Sequence, residues 1–230
     1  WKPLADAVET VMNFSREEFT EHIGEYFDVP VMRDLSLFYS VVNALDNIGK
    51  NMYWAIYDKQ AGKCLTPAPW DLDATFGQRW GTVVNEEHYS PEYTTDIDVM
   101  PLIFLYKYNS NDFNGQLNSR YKELRQPGQL FSTDSLISRV TKYYKALKNS
   151  GAAKREETKW SGDSDVWGDV IDFDAEYTYI CDWITRHLAF IDNTTFPLYF
   201  TKDFFDLLST GLQLQMDTSV SHTYNLNGQR

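Results

Sequence analysis

One predicted β-hairpin constrains the fold of this chain more than any other feature, because the segments around it are patterned for helices. Residues 52–57 read as a strand rich in aromatic and apolar side chains, and residues 58–62 favour a turn. Residues 63–68 are predicted to form the returning strand. A hairpin brings its two ends to the same edge. We therefore expect the segment before residue 52 and the segment after residue 68 to be neighbours in space.

The hairpin is predicted to lie within a mostly helical chain. Ser15 and Glu18 have the spacing of a capping box and predict a helix over residues 16–27, which Val29 and Pro30 are expected to end. Apolar residues recurring every three or four positions predict the other helices, over residues 31–44, 99–109, 112–125, 133–148 and 170–192. The expected fold class is α+β and predominantly α-helical.

Two further segments are predicted to lack regular structure. Residues 150–166 are charged and rich in glycine and serine, which favours an exposed loop. Residues 201–230 lose the helical pattern. We expect residues 1–200 to form one domain, and residues 201–230 to be a linker or the start of a C-terminal module.

Composition excludes several classes of function. The chain has 230 residues, of which 16% are aromatic, so we expect a packed core. Its formal net charge is −12, and a field of this sign repels DNA, RNA and anionic lipid surfaces. We expect no nucleic-acid partner. No apolar run approaches the length of about 20 residues that a transmembrane helix needs.

The segments on either side of the predicted hairpin are both acidic. The first, residues 46–51, begins with Asp46 and ends with Asn51. The second, residues 69–77, reads PWDLDATFG and carries Asp71 and Asp73. Phosphoryl transfer requires a carboxylate beside the attacking hydroxyl and oxygen ligands for divalent metal. Carboxylate and amide oxygens are the ligands that Mg²⁺ prefers. The four side chains are of the types that this chemistry requires.

Structural roles also account for some of these residues, because Asp and Asn are common in turns and helix caps. In an extended segment Asp71 and Asp73 would point to the same side, where two carboxylates repel unless a cation lies between them. The expected cation is a metal ion, although Lys50 or Arg79 could take its place.

The two acidic segments and the aromatic strand between them resemble the CotH kinase-like family, whose members have an atypical protein-kinase-like fold. The run of residues 70–77 is the most specific part of the resemblance. The Tyr26 to Asp28 lead-in and the segment from Asp182 to Asp192 also fit, so the resemblance covers roughly residues 13–196. It implies a kinase-like C-terminal lobe with a short hairpin between two acidic loops.

The resemblance also implies roles for the acidic residues. Asp46 resembles the catalytic Asp, and Asn51 resembles a metal-binding Asn. Asp71 resembles the metal-binding Asp of a kinase, and Asp73 is close enough to share that role. The implied cofactors are Mg²⁺ or Mn²⁺ together with ATP, and the implied partner is a protein substrate carrying Ser or Thr.

The chain departs from the family pattern at its N-terminus. Only about a dozen residues precede the first predicted helix, with no glycine-rich loop and no lysine suited to phosphate. We expect the phosphate-gripping N-terminal lobe to lie outside this chain, in a longer parent protein, and we expect this piece to be inactive alone.

Residues 221–230, at the C-terminal end, weakly resemble the start of sorting modules in secreted Bacteroidetes proteins, which predicts an extracellular or cell-surface location.

The main alternative function is a non-catalytic extracellular module that binds glycan or protein through exposed aromatic residues. A third hypothesis is a metal-dependent hydrolase that uses the same carboxylates.

Overall fold

The computed structural model describes residues 2–47, 50–56, 64–78, 88–94, 101–166 and 168–198, all within one compact unit. These residues form a mostly helical fold with one two-stranded sheet, as the sequence predicts. The helices are α1 (Lys2–Asn13), α2 (Arg16–Tyr26), α3 (Val29–Val42), α4 (Leu102–Tyr108), α5 (Phe113–Leu124), α6 (Thr133–Asn149), α7 (Ala152–Trp160) and α8 (Phe173–Asp192). The strands are β1 (Met52–Ala55) and β2 (Thr66–Pro69). The predicted linker at 201–230 lies outside the described residues.

The predicted hairpin forms, although both strands are shorter than expected. β1 and β2 pair antiparallel, with Met52 opposite Pro69 and Ala55 opposite Thr66. The turn at residues 58–62 and the start of the returning strand at residue 63 lie outside the described part of the chain. At the open end of the hairpin, the Trp70 N–H donates to the Asn51 carbonyl over 2.9 Å. The two acidic segments therefore meet.

The capping box that starts α2 is confirmed, because the Ser15 side chain and the Glu18 side chain each accept the other's backbone N–H. The expected role of Pro30 is wrong. The α2 helix ends at Tyr26, and Pro30 lies in the first turn of α3, where a missing N–H costs no helical hydrogen bond. The Asp28 side chain caps α3 by accepting the Val31 N–H.

Two helices were not predicted. The α1 helix precedes residue 16, with Ala7 and Val11 buried, so a helix forms in a segment to which no secondary structure was assigned from the sequence. The α7 helix occupies most of the segment expected to be an exposed loop, residues 150–166. Its composition is rich in Ala, Lys, Arg and Glu, which are strong helix formers, and Ala153 is fully buried. Helix propensity therefore outweighs the charge that suggested a loop.

The α3 helix lies at the centre of the fold. It packs against α5, α8 and β2, while α6 packs against both α7 and α8. Most of α3 is buried, including Met32 and Leu37, which have no exposed surface. Because α3 leads directly into the first acidic segment, burial of this helix fixes the position from which that segment starts. In the part of the chain that is described, no helix is both long enough and apolar enough to cross a membrane.

Candidate active site

The first acidic segment begins where α3 ends. Asn43 closes the helix in the left-handed conformation, with φ of 51°, and a single 3-10 turn, Leu45–Asn47, follows. This turn holds Asp46 with only 8% of its surface exposed. A carboxylate with this little exposure requires polar partners to compensate for lost hydration.

Two neighbours of Asp46 provide this compensation. Asn51 Nδ2 donates to Asp46 Oδ2 over 2.6 Å. The Lys50 ammonium forms an ion pair with Asp46 Oδ1. Among the described residues Lys50 therefore pairs with Asp46 and not with Asp71 or Asp73, while Arg79, the other cation considered for that pair, lies outside the described part of the chain. Because the Asn51 nitrogen makes the contact with Asp46, the Asn51 amide oxygen is the atom available to a metal.

Asn47 joins the two acidic segments. It has no exposed surface, and its Nδ2 donates to the Asn51 carbonyl and to the Trp70 carbonyl, each over 2.8 Å. The same two residues are joined by the Trp70 N–H described above. Asn47 therefore holds the end of the first segment against the residue that precedes Asp71. No role for it was predicted, because the partner carbonyl is 23 positions away in sequence.

The second segment presents its carboxylates to solvent. Asp71 and Asp73 are both exposed. Asp71 has φ of 56°, so the extended backbone assumed from the sequence is wrong at this residue, and side-chain alternation does not place the two carboxylates on one side. Asp73 Oδ1 accepts the Ala74 N–H over 2.9 Å. Among the described residues the Asp71 carboxylate has no hydrogen-bond donor or cation, so Asp71 is better suited than Asp73 to bind an added cation.

The end of the second segment is anchored to the helices. The Phe76 N–H donates to the Val42 carbonyl over 2.7 Å, and the Tyr179 hydroxyl donates to the Phe76 carbonyl over 2.9 Å. Phe76 and Gly77 both have positive φ, 53° and 85°. A bulky residue in this region stores strain, and such strain is concentrated at functional sites. The Phe-Gly pair therefore makes a turn that lies between α3 and α8.

Gly77 leaves no room for a larger residue. A Cβ at this position would lie 2.5 Å from Trp183 Nε1 and 2.7 Å from both the Tyr179 hydroxyl and the Tyr89 carbonyl. Gly77 accepts the Tyr89 N–H over 2.8 Å, and Trp183 Nε1 donates to the Tyr89 carbonyl over 3.0 Å. These contacts pack the second segment, residues 88–94 and α8 closely together.

His187 lies one turn further along α8 and fixes the same region. It is completely buried, stacks on Trp183, and contacts the Pro91 carbonyl through Nδ1 and the Ser40 carbonyl through Nε2, the latter over 2.8 Å. Burial lowers the pKa of His187, although both carbonyl contacts oppose this shift. The neutral ring has a single N–H and can donate to only one of these carbonyls, either Ser40 in α3 or Pro91 in residues 88–94, so the tautomer decides which of the two is hydrogen-bonded to α8.

The family of the chain follows from comparison with known proteins. The family model described as CotH kinase protein matches residues 1–191. The chain belongs to the CotH kinase family. No curated protein matches it. The match includes both acidic segments, α1 to α7 and nearly all of α8, and it confirms the resemblance seen in residues 70–77. Within this CotH chain, the roles of Asp46, Asn51, Asp71 and Asp73 stay predictions.

The residues of this CotH site fit a hard divalent cation. Across the described ranges, no three His, Cys, Asp or Glu side chains cluster as metal ligands. However, Mg²⁺ usually keeps several waters and needs only one or two protein carboxylates in addition to phosphate oxygens. Among the described residues Asn47 Oδ1 is buried and makes no hydrogen bond by distance and angle, although its side chain interacts with the Tyr39 hydroxyl. An amide oxygen and exposed carboxylates are the donor types that a hard cation prefers. Asn51 and Asp71, with Asp73 assisting, would hold the metal.

Proposed function

We propose that this chain is part of a protein kinase that transfers the γ-phosphoryl group of ATP to a Ser or Thr hydroxyl of a protein, with Mg²⁺ or Mn²⁺. The family membership supports kinase-like chemistry. The observation that carries the proposal is the 2.6 Å contact between Asn51 and Asp46, in a segment that Asn47 ties to the residue before Asp71. This arrangement supports the proposal that Asp46 orients the nucleophile while oxygens of Asn51 and Asp71 bind the metal.

Asp46 would accept the proton of the attacking hydroxyl. The hydroxyl oxygen forms a bond to the γ-phosphorus as the bond from that phosphorus to the bridging oxygen of ADP breaks, and the proton passes to the Asp46 carboxylate. Because Asn51 binds Oδ2, rotation of the carboxylate is restricted and Oδ1 is the oxygen that would face the hydroxyl. Bound metal supplies positive charge that neutralises the phosphate oxygens.

Lys50 must release Oδ1 for this step. Its side chain is 64% exposed, whereas that of Asp46 is 10% exposed. Because Asp46 is buried, loss of this cation leaves a poorly hydrated carboxylate oxygen that needs another partner. An incoming hydroxyl that donates to Oδ1 would replace Lys50 as that partner, and the ammonium would remain near the phosphates. We propose that Lys50 protects the buried carboxylate between turnovers.

Radiolabelled ATP and a panel of Ser/Thr peptides test the proposal, with the natural protein that contains this chain. We expect Asp46→Asn to lower phosphoryl transfer by about 10²- to 10⁴-fold, the range for loss of a general base. Asp71→Asn should lower it by raising the metal concentration required. The matched control is Asp165→Asn, which changes an exposed carboxylate in a 3-10 turn remote in sequence from the site.

Equal transfer by wild type, Asp46→Asn and Asp71→Asn would overturn the proposal. Phosphate release from substrates without nucleotide would instead support the metal-dependent hydrolase. Complete absence of transfer in the wild type, together with binding of a glycan or protein through exposed aromatic residues, would support the non-catalytic module.

A further inference from the structure

The two side chains proposed as the main metal ligands, Asn51 and Asp71, share an uncommon backbone conformation. Asn51 has φ of 51° and Asp71 has φ of 56°, so both lie in the left-handed region. Residues other than glycine keep this conformation only where the surrounding structure holds them in it. Asn51 comes immediately before β1 and Asp71 follows closely after β2, at the open end of the hairpin. The contacts at this end therefore decide where the two ligands lie.

Among the described residues, three hydrogen bonds link residues 47, 51 and 70 at this end of the hairpin. The Trp70 N–H donates to the Asn51 carbonyl over 2.9 Å. The other two come from one amide group, because Asn47 Nδ2 donates to the Asn51 carbonyl and to the Trp70 carbonyl, each over 2.8 Å. An amide nitrogen carries two hydrogens, so these contacts use the full donor capacity of the Asn47 side chain.

The planarity of the peptide group carries the effect of Asn47 to both ligands. The Trp70 carbonyl belongs to the planar group that ends at the Asp71 nitrogen, so a bond that holds this carbonyl also holds the plane from which Asp71 begins. The other carbonyl that Asn47 binds belongs to the ligand Asn51 itself. One side chain therefore fixes the main chain at one ligand and immediately before the other.

The burial of Asn47 gives it a different place in the site from that of the ligands. Asn47 has no exposed surface, whereas Asp71 is exposed to the solvent from which a metal ion arrives. Its Nδ2 is used by the two carbonyls, and its side chain interacts with the buried Tyr39 hydroxyl on the inner side. Asn47 can therefore affect a bound metal only through the main chain that it holds.

Metal affinity depends on how well the ligands are placed before the ion binds. An ion that binds two side chains must hold both in one geometry, and the ordering costs less when the protein has already placed them. Mg²⁺ tolerates little departure from octahedral geometry, so a misplaced oxygen is exchanged for water. Without the Asn47 donor, the peptide plane between Trp70 and Asp71 loses a contact that limits its rotation. The Asp71 carboxylate would then occupy a wider range of positions relative to Asn51.

We propose that Asn47 is a positioning residue for the metal ion: it sets the separation of Asn51 and Asp71 and thereby their joint affinity for Mg²⁺ or Mn²⁺. This inference rests on the proposed function, because it takes those two residues as the ligands. Asn47 acts on Asp71 through the main chain of Trp70, so the contribution of Asp71 to metal binding requires Asn47. Loss of Asn47 and loss of the Asp71 carboxylate are then two ways of removing the same ligand.

A double-mutant cycle on Mn²⁺ binding tests this dependence, measured by water-proton relaxation with the natural protein that contains this chain. We expect Asn47→Ala to weaken binding about tenfold, at the low end of the range for residues that orient metal ligands. Asp71→Asn should weaken it by a similar factor. The double variant should bind within about twofold of Asp71→Asn, because effects that share one ligand do not add. Independent effects would multiply to about 100-fold.

The matched control is Asn114→Ala, which removes a partly buried amide that donates to the Tyr106 carbonyl and should leave Mn²⁺ affinity unchanged. Asn47→Ser keeps a shorter donor and replaces Asn47→Ala in the cycle if the alanine variant does not fold.

Unchanged Mn²⁺ affinity in the Asn47 variant, or losses that multiply in the double variant, would overturn the positioning role and leave the Asp71 ligand in place. A wild type that does not bind Mn²⁺ would overturn both the positioning role and the metal site of the proposed function. The expected coupling without phosphoryl transfer would support the positioning role and overturn the kinase activity alone.

Discussion

The two acidic segments of this CotH chain differ in how they hold their carboxylates. In the first segment, Asp46 is almost buried and both of its oxygens have partners. In the second, the side chains of Asp71 and Asp73 are exposed. Only the backbone on either side of them is held, by the hydrogen bonds that the Trp70 and Phe76 carbonyls accept. A rigid carboxylate suits the orientation of a nucleophile, whereas exposed carboxylates on a fixed backbone suit exchange of metal and water. The difference supports separate roles for the two segments.

Gly77→Ala, which disturbs the support of the second segment, should have the largest effect on the free energy of unfolding. The added methyl group would meet Trp183, Tyr179 and the Tyr89 carbonyl at 2.5–2.7 Å, on a residue with φ of 85°. Overpacking costs about 1–3 kcal/mol. The left-handed conformation costs an alanine about 1–2 kcal/mol more. We therefore expect the free energy of unfolding to fall by about 4 kcal/mol, measured by urea denaturation.

Gly128→Ala is the control for backbone conformation alone. Gly128 also has positive φ, 76°, but nothing lies within 4 Å of its added Cβ. The free energy of unfolding of Gly128→Ala should therefore fall only by the cost of the left-handed conformation, about 1–2 kcal/mol. Equal losses for the two variants would mean that the second segment is not packed tightly against α8.

The next largest effect is expected from Asn47→Ala, which separates the two segments. It removes both donations from Nδ2 and leaves the Asn51 and Trp70 carbonyls without this donor. Each such bond contributes about 1 kcal/mol, and buried groups left unpaired add to the loss. We expect the unfolding free energy to fall by about 3 kcal/mol. We also expect hydrogen exchange to accelerate at residues 51 and 70 more than in α6.

Asn114→Ala provides a comparison at another partly buried amide, whose Nδ2 makes a single bond to the Tyr106 carbonyl. Asn114→Ala should lower the free energy of unfolding less than Asn47→Ala does, and it should leave hydrogen exchange at residues 51 and 70 unchanged. A uniform acceleration throughout the chain in Asn47→Ala would show that Asn47 supports the fold generally and does not join the segments specifically.

The sequence was sufficient to predict the hairpin and the proximity of its two ends, because both follow from local strand and turn patterns. It was also sufficient to choose Asp46 and Asn51 as a pair, since their contact spans five positions. The bridge made by Asn47 was not predictable in this way, because an Asn after an Asp is also an ordinary turn residue. The left-handed conformation of Asp71 was also missed, because it directly follows Trp70, whose carbonyl accepts a hydrogen bond from the distant Asn47.

A smaller effect should distinguish the two exposed carboxylates. Asp73 is held by the Ala74 N–H, whereas Asp71 lacks such a partner among the described residues. We expect Asp71→Asn to weaken Mn²⁺ binding about tenfold and Asp73→Asn to weaken it only two- to threefold, measured by water-proton relaxation. Asp165→Asn is the matched control. A larger loss for Asp73→Asn would reverse the assignment of the main ligand and show that its turn contact opens on binding.

The smallest expected effect is the pH dependence of stability that comes from His187, which packs beside the start of the first segment. The pKa of His187 is lowered below its ordinary value of 6.5 by burial, so the unfolded chain binds a proton that the folded chain refuses. Stability from this residue is therefore complete above about pH 6.5 and declines as pH falls below it. We expect the urea midpoint of the wild type to decrease between pH 7.5 and 5.5, and His187→Gln to show a smaller decrease.

His22 provides a control of opposite sign. Its contact with Glu25 raises its pKa above the ordinary value, so the stability it contributes is present at low pH and is lost as pH rises through the raised pKa. His22→Gln should therefore make the decrease on acidification larger, not smaller. If His187→Gln and His22→Gln change the pH dependence in the same direction, the pKa of His187 is not lowered in the folded chain.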